Sequence, residues 1–374
     1  MLTTIGSDCG IAAYTRALTD SLVSSCGIEV VTVPITPGKQ PLTHYEEQAA
    51  ILNAPDIDVI HVQHEYSFWG GVLPRSSSFW QMRYLLTRPL VMTAHTTYSA
   101  AEMLRLPTEK RWPQRFVKRA LLLNRPWVQS VEIAPFVTAV TIVHTKAARE
   151  AMIMRGAKPS YIEVVPTGIP AALAANYHGA EFISRYGLKG KRVISLFGFI
   201  APNKGYELTL ELLRALPADI TLVIAGGPRN SAMEPYADEL RREIAARGVG
   251  DRVVITGYLS DEEAAEARAA SLLVVTPHTQ ATGSYSVALP LAHGKPIVAS
   301  DQDCFKEIVE RKPCLELFKS GDTADYLRAV TLLLNDEERR NRLSRQAAEY
   351  AEATSWPKVA ERTAAIYRRA VQLW

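Results

Sequence analysis

The strongest constraint on this chain is a rhythm. Short apolar runs alternate with helical periodicity from one end to the other: Val30–Pro34, Val59–Gln63, Leu90–Thr93, Ala139–Val143, Ile162–Pro166, Val193–Phe197, Thr221–Ala225, Val253–Thr256, Leu272–Thr276 and Pro296–Ser300. Most are rich in β-branched residues and lack period-2 alternation, as expected of strands buried on both faces of a parallel sheet. Helical segments are predicted at Ala12–Ser24, Lys146–Arg155, Gly205–Leu216, Tyr236–Arg247, Asp261–Ala269, Thr323–Leu334 and Asp336–Glu352. A β-α-β-α order of this kind specifies a doubly wound α/β architecture.

The rhythm is interrupted once. After VVPTGIP (164–170) comes AALAANYHGAEFISRYGLKGKR, with weak periodicity, and a new strand follows at Val193. A domain boundary is therefore expected near 170–190. A length of 374 residues suits two domains, because single cores stop growing near 250–300 residues. Each half is then an open sheet whose ligand edge lies at the carboxyl ends of its strands. The first half starts with only Met1–Gly6 before its loop, a stub of a strand.

Composition excludes several classes. The chain is 47% hydrophobic and 22% charged, with a net charge of +3, too small to imply nucleic-acid binding. Cys9, Cys26, Cys304 and Cys314 lack metal-ligand spacing and read as reduced thiols. The opening MLTTIGSDCG has no basic segment followed by an apolar run, so no secretory signal is expected. No apolar stretch reaches the ~20 residues of a membrane-spanning helix.

Several glycine loops lie where strands hand over to helices. In GFIAPNKGYE (198–207), Gly198 permits a sharp turn and Lys204 brings a mobile ammonium to a helix amino terminus, an arrangement suited to phosphate. The bland alternative is a glycine turn with a surface lysine. TGSYSVALPLAHG (282–294) repeats the arrangement: amides of Gly283, Ser284, Tyr285 and Ser286, with Thr282 and the serine hydroxyls, face an anion, or Ser284 merely caps a helix that Gly294 ends. Pro290 implies that this helix is bent or short. From 267 to 300 the chain carries no carboxylate. GSDCGIAAYTRAL (6–18) is a third such loop, with Gly10 open to a ligand. Gly226 and Gly227 in LVIAGGPRN, and Tyr258 in VVITGYLSDEE, end two further strands, as ligand contacts or as tight βα turns.

Histidines mark two strand ends in the first half. His61 lies within its strand and is explained by core packing. His64 and Glu65 sit at the end of that strand, and His95, framed by Thr93, Thr96 and Thr97, ends the next. A histidine there can donate to an oxygen or carry a proton near neutral pH. His64 and His95 lack the spacing of a zinc motif. Residues 109–127 mix basic and aromatic residues, either an interfacial membrane patch or a solvated helix.

Read in order, CGIAAYT, HVQHEY, TAHTT, VPTGI, FGFIAPNKG, IAGGP, ITGYLSDEE and PLAHGKPIVASD resemble the GT-B glycosyltransferases of family 4 across nearly the whole chain. TSWPKVAERTAAIYRRAV (354–371) resembles that family's closing helix, which returns to the first domain. The resemblance implies two Rossmann-like doubly wound domains facing a central cleft. Residues 1–175, completed by 356–374, would form the acceptor side, and 185–355 the nucleotide-sugar domain. It implies a retaining enzyme that moves a sugar from a UDP- or GDP-sugar to a glycan or glycolipid, without a metal or other cofactor. Lys204 would neutralise the leaving diphosphate, with Gly198, Phe199 and Ile200 beneath it and Thr282–Ser286 completing the cradle. Gly226, Gly227, Pro228 and Tyr258 would neighbour base and ribose. His95 would meet the donor sugar, His64 and Glu65 the acceptor, and Gly10 the diphosphate. The catalytic set implied is His95, Lys204 and Glu65. The expected setting is cytoplasmic, with 109–127 touching the inner face of the membrane.

The chain departs from that family's pattern at three points. The two glutamates eight apart before the GxPVVA-like run are Ala281 and Leu289 here, and Phe199 stands where an arginine often precedes the lysine. The same fold with reduced catalysis, a sugar-nucleotide-binding protein, is one alternative; a nucleotide-sugar epimerase is another. A dinucleotide-dependent enzyme is excluded, because no G-x-G-x-x-G turn with a following acid is present.

Overall fold

The structure, a computed structural model, describes residues 1–5, 10–69, 78–97, 120, 139–170, 177–228, 231–281 and 285–374. The chain divides into two compact units, Met1–Gly168 with Trp356–Trp374, and Ile169–Ser355. The division falls at Gly168, just ahead of the 170–190 stretch where periodicity weakens.

Unit 1 contains β1 (Leu2–Thr3), α1 (Gly10–Cys26), β2 (Val33–Pro34), α2 (Leu42–Leu52), β3 (Ile60–His64), α3 (Phe79–Leu85), β4 (Leu90–Ala94), β5 (Val140–Val143), α4 (Lys146–Met154) and β6 (Ile162–Val164). The strands form one parallel sheet in the order β2-β1-β3-β4-β5-β6. The order reverses at β1, so the switch point lies between β1 and β3, where open sheets bind ligands. β2 is shorter than the Val30–Pro34 run. Its partner β1 offers only two residues, pairing Leu2 with Val33 and Thr3 with Pro34, and a strand extends only as far as a neighbour supplies hydrogen bonds.

Unit 2 contains α5 (Ala180–Arg185), β7 (Arg192–Phe197), α6 (Tyr206–Ala215), β8 (Ile220–Ala225), α7 (Glu234–Ala246), β9 (Val253–Ile255), α8 (Asp261–Ala270), β10 (Leu273–Thr276), α9 (Tyr285–Ala292), β11 (Ile297–Ser300), α10 (Asp303–Arg311), β12 (Glu316–Phe318), α11 (Thr323–Asn335) and α12 (Glu337–Ala353). α13 (Trp356–Leu373) then returns to unit 1. The sheet is again parallel, in the order β12-β11-β10-β7-β8-β9. Its switch point lies between β7 and β10.

Strand alternation explains why the unit 2 runs are apolar throughout. Ile194, Leu196, Leu222 and Ile224 pack into one core, while Val193, Phe197, Val223 and Ala225, their neighbours along the same strands, pack into another on the opposite face. Helix starts are fixed by side chains. Ser260 and Glu263 form a reciprocal capping box at α8, and Thr145, Asp322 and Asp336 accept from backbone amides at α4, α11 and α12. α9 tolerates Pro290 in its eight residues and ends where Lys295 N donates to the Pro290 carbonyl across Gly294, whose φ is 59°.

Candidate functional site

In unit 2 the candidate residues gather at the carboxyl ends of neighbouring strands. β7 ends in Gly198, whose amide donates to Ala225 O (3.1 Å), and the Ile200 amide donates to Gly227 O (2.9 Å). The Gly198–Ile200 and Gly226–Pro228 turns therefore run side by side, joined by a bridge between Ile200 and Pro228. A Cβ on Gly226 would overlap the Gly198 carbonyl oxygen, and one on Gly227 would press on the Tyr258 ring. Gly226 is thus required by close approach to backbone, whereas Gly227 meets only the exposed Tyr258 ring, which can shift. Tyr258, 63% exposed, donates its hydroxyl to Pro228 O and lies near Phe199, with ring centroids 6.3 Å apart. The arrangement leaves one side of Tyr258 bare.

Lys204 ends a short 3₁₀ turn, Pro202–Lys204, directly before α6. Its side chain is partly buried and held by a hydrogen bond, unlike the surface lysine of the bland alternative. Its amine is shielded enough from water to bring its pKa down to about 8. Its Nζ donates to His278 Nε2 at 3.2 Å. His278 follows β10, so the two groups approach from opposite sides of the β7/β10 switch point. No carboxylate among the described residues contributes to the Lys204 environment. Thr282, Gly283 and Ser284 lie outside the described residues. Tyr285 and Ser286 open α9, next along the chain from the same loop. Ala281, at the first of the missing glutamate positions, accepts the Cys304 thiol on its carbonyl.

In unit 1 the residues at the strand ends build a buried polar network. Alternation along β3 sends Ile60 and Val62 to an apolar core and His61 and Gln63 to the opposite face. There His61 Nδ1 meets the Tyr367 hydroxyl of α13 (2.7 Å) and Nε2 meets Thr93 Oγ1 (2.8 Å). His95 Nε2 lies 2.8 Å from the Gln63 amide, and its Nδ1 lies 3.4 Å from His144 Nε2. The His144 Nδ1–H donates to Val165 O (3.0 Å). Tyr14 of α1 packs edge-on against His95, with centroids 4.9 Å apart, and touches Trp356 of α13 at 5.0 Å.

Proton counting orders this network. His144 spends its only ring proton on Val165, so Nε2 must accept, and His95 must donate from Nδ1. Gln63 Oε1 faces His95 Nε2, so His95 Nε2 accepts only with that amide turned over, its N–H end toward the ring. That turns the Gln63 oxygen toward His61 Nε2–H, and leaves His61 Nδ1 to accept from Tyr367. All three rings are neutral and every donor runs one way along the chain. Burial favours the same state: it lowers the pKa of His61 to about 3, holds His95 well below the usual value, and lowers His144.

The remaining expectations fall as follows. His64 is 2% exposed, boxed between Tyr66 (5.2 Å) and Phe79 (4.8 Å), with its pKa lowered to about 3 by burial. Glu65 accepts the Thr96 hydroxyl. Gly10 is the exposed first residue of α1, and among the described residues nothing beyond its chain neighbours and its own helix backbone lies within 4 Å of where its Cβ would be. His64, Glu65 and Gly10 flank the β1/β3 switch point. His95 has both ring nitrogens engaged, so it cannot relay a proton without breaking a buried hydrogen bond. Residues 109–127, the proposed membrane patch, lie outside the described residues except Ala120. No described helix is long and apolar enough to cross a membrane. Gln63, His144 and His278 were not foreseen. The signal that marks His64 and His95, a histidine just past a buried strand, also marks VTIVHT and LVVTPHT. A pocket of about 720 Å³ opens toward the amino-terminal edge of the unit 1 sheet, lined by Val31, Val59 and Arg368 and reaching His61 and Tyr367 at the far end of the histidine network.

Two doubly wound parallel sheets whose glycine turns and polar side chains gather at the carboxyl edges define the GT-B class, and comparison with known proteins agrees. The family described as glycosyltransferase family 4 matches residues 10–173, and that described as glycosyl transferases group 1 matches residues 180–350. The chain belongs to the family 4 (group 1) glycosyltransferases of GT-B fold. It is 30% identical to a D-inositol 3-phosphate glycosyltransferase of Nocardioides sp. over 65% of this chain and 55% of that protein. It is 25% identical to D-inositol 3-phosphate glycosyltransferase 1 of Catenulispora acidiphila over 96% of this chain and 86% of that protein. The match thus spans about half the length of the Nocardioides relative. Among solved structures, Anabaena Alr3699/HepE in complex with UDP-glucose superposes with a TM-score of 0.72 at 16% identity, covering 98% of this chain and 99% of that one.

Proposed function

We propose that this chain transfers a hexosyl group from a nucleoside-diphosphate sugar to a glycan or glycolipid acceptor with retention of configuration, the diphosphate being held by unit 2. One observation carries the reading. Lys204 brings a partly desolvated ammonium to the β7/β10 switch point, and its partner there is a neutral imidazole instead of a carboxylate. A cation withdrawn from water without an anion is costly, and an anionic ligand removes that cost. The first-turn amides of α9, the helix that follows β10, lie at the same edge of the sheet. The names of the relatives support glycosyl transfer, and the UDP-glucose in the Anabaena structure is a donor of the proposed class.

The chemistry fits a site poor in acids. In a front-side reaction the bond from the sugar's anomeric carbon to the phosphate oxygen breaks while the acceptor oxygen bonds on the same face. The acceptor's proton passes to the leaving phosphate oxygen. The protein's share is positioning and stabilisation of the departing negative charge. Lys204 supplies that charge, Tyr258 offers a face to the base, and Glu65, beside Thr96, lies on the acceptor side. His95 is neutral and fixed, so it shapes the sugar site and carries no proton.

The test is donor turnover. Wild type should transfer or slowly hydrolyse one sugar nucleotide from a panel of UDP- and GDP-sugars, and Lys204→Ala should abolish this and cost about 2–5 kcal/mol in nucleoside-diphosphate affinity by calorimetry. Unchanged affinity in Lys204→Ala would reject the site. Alanine and leucine at 281 and 289 favour a second reading, a binding protein with reduced catalysis. Tight nucleotide binding with no turnover of any donor is its signature.

A further inference from the structure

We propose that His278 is the positioning residue of Lys204: its ring holds the ammonium at the switch point by accepting a single hydrogen bond, without neutralising it, so that the charge and the other N–H groups stay available to an anionic ligand. The inference rests on the reading of Lys204 as a diphosphate-binding group.

Three features of the geometry support it. First, the two residues come from the loops that diverge at the switch point, after β7 and after β10. Second, these loops are fastened to each other. Thr279 N donates to Asn203 O (3.0 Å), Asn203 Nδ2 donates to Gln280 O (3.1 Å), and a Cβ on Gly205 would overlap the Pro277 carbonyl oxygen. Third, the imidazole is itself fixed. It is 2% exposed, its carbonyl accepts from Ser300 Oγ (2.7 Å), and its ring lies 5.7 Å from that of Phe305.

The choice of side chain follows from charge. Burial and the neighbouring Lys204 charge lower the His278 pKa to about 3, so the ring is neutral. Its Nε2 lone pair accepts while Nδ1 keeps the ring proton. A carboxylate at the same place would hold the lysine equally well but would cancel its charge and repel a phosphate. An apolar ring would leave the amine free to rotate away.

The test separates holding the lysine from holding the fold, using the whole chain with inorganic pyrophosphate and UDP as probes. Melting temperature without ligand reads the fold; the ligand-induced rise and calorimetric affinity read the site. His278→Gln, which retains an acceptor, should bind pyrophosphate within a few-fold of wild type. His278→Phe should bind about tenfold or more weakly, as for loss of a hydrogen bond to a charged group. His278→Glu should melt at or above the wild-type temperature, because it pairs with Lys204, yet lose the ligand-induced rise. If Lys204→Ala loses binding but His278→Glu and His278→Phe keep it, the inference is overturned and the reading of Lys204 stands. If wild type binds neither probe, or Lys204→Ala binds as well as wild type, both are overturned.

Discussion

Lys204 carries a pH signature. Its pKa in the free protein, about 8, lies below that of an ordinary lysine because burial penalises its charge. A bound phosphate favours the charged form, so nucleoside-diphosphate affinity should fall as pH rises through 8 to 9, well above the pKa of about 6 of the terminal phosphate itself. Calorimetry of UDP across that range checks the sign, and affinity that rises with pH would refute it. The histidine network makes a second statement at this scale. ¹⁵N shifts should report Nδ1–H tautomers for His95 and His144 and an Nε2–H tautomer for His61 at pH 7. A cationic ring at any of the three would contradict the donor order.

Sequence reading reached these residues unevenly. Lys204, Gly198, Gly226 and Gly227 stand out in sequence because they fall where strands hand over to helices, a position that fits a ligand contact or a tight turn equally. His278 and His144 carried the same mark as His64 and His95 and were passed over. What a linear reading could not supply was pairing. Nothing local says that residue 204 meets residue 278, or that Gln63 and Tyr367 occupy the two sides of one histidine chain.

Elements were legible by pattern more than by length: α4, of nine residues, was read and α2, of eleven, was not. Most of the four- and five-residue buried runs became strands within two residues of the reading, with Val30–Pro34 shrinking to β2, whereas β12 was missed. It is three residues long and carries Glu316, an acid acceptable in a sheet because Arg339 (2.6 Å) and Arg328 (3.4 Å) pair with it. α2, α3, α5 and α10 were also missed. α10 begins DCFKEIV, with Cys304 and Phe305 buried and Ile308 and Val309 packed against the same core, a nine-residue helical pattern that was passed over. The turns lend themselves to test. Gly205 has a φ of 73° and no room for a Cβ against Pro277, so Gly205→Ala should destabilise unit 2 by about 1–3 kcal/mol from backbone strain, with the overlap adding to it. Gly10→Ala, in open space, should shift stability by less than about 1 kcal/mol. Urea titrations of both variants make the comparison. α13 is the element on which unit 1 closes. Trp356 fills the space above Gly168, Tyr367 feeds the histidine chain, and Arg362 donates to Val164 O at 3.1 Å. Deleting 356–374 should strip exchange protection from β3 and β4 while β7, β8 and β10 keep theirs.

At the scale of the whole molecule, the β-α rhythm specified two doubly wound sheets, and the family comparisons agree. Strand order was not legible, since parallel strands separated by helices can stack in several sequences and only contact decides. The two units should respond differently to acid. His61, His64, His95 and His144 in unit 1, and His278 and His293 in unit 2, all have pKa values lowered chiefly by burial. Between the folded and unfolded pKa the unfolded chain binds more protons, so their contribution to stability is intact above about pH 6.5 and is lost as pH falls below it. Each costs about 1.4 kcal/mol per pH unit across that window. Unit 1 should therefore lose stability faster, and unfolding followed from pH 7 to 4.5 should separate into two transitions, unit 1 first. A single transition with no pH dependence would refute this.

The central claim is that unit 2 holds a nucleoside diphosphate at its β7/β10 switch point through Lys204. Hydrogen exchange of the whole chain with and without saturating UDP, repeated with GDP, tests it most directly. The account predicts slowed exchange in peptides spanning 198–206 and 277–288 for at least one nucleotide, abolished by Lys204→Ala. Protection confined to unit 1, or protection of unit 2 that survives Lys204→Ala, would contradict it.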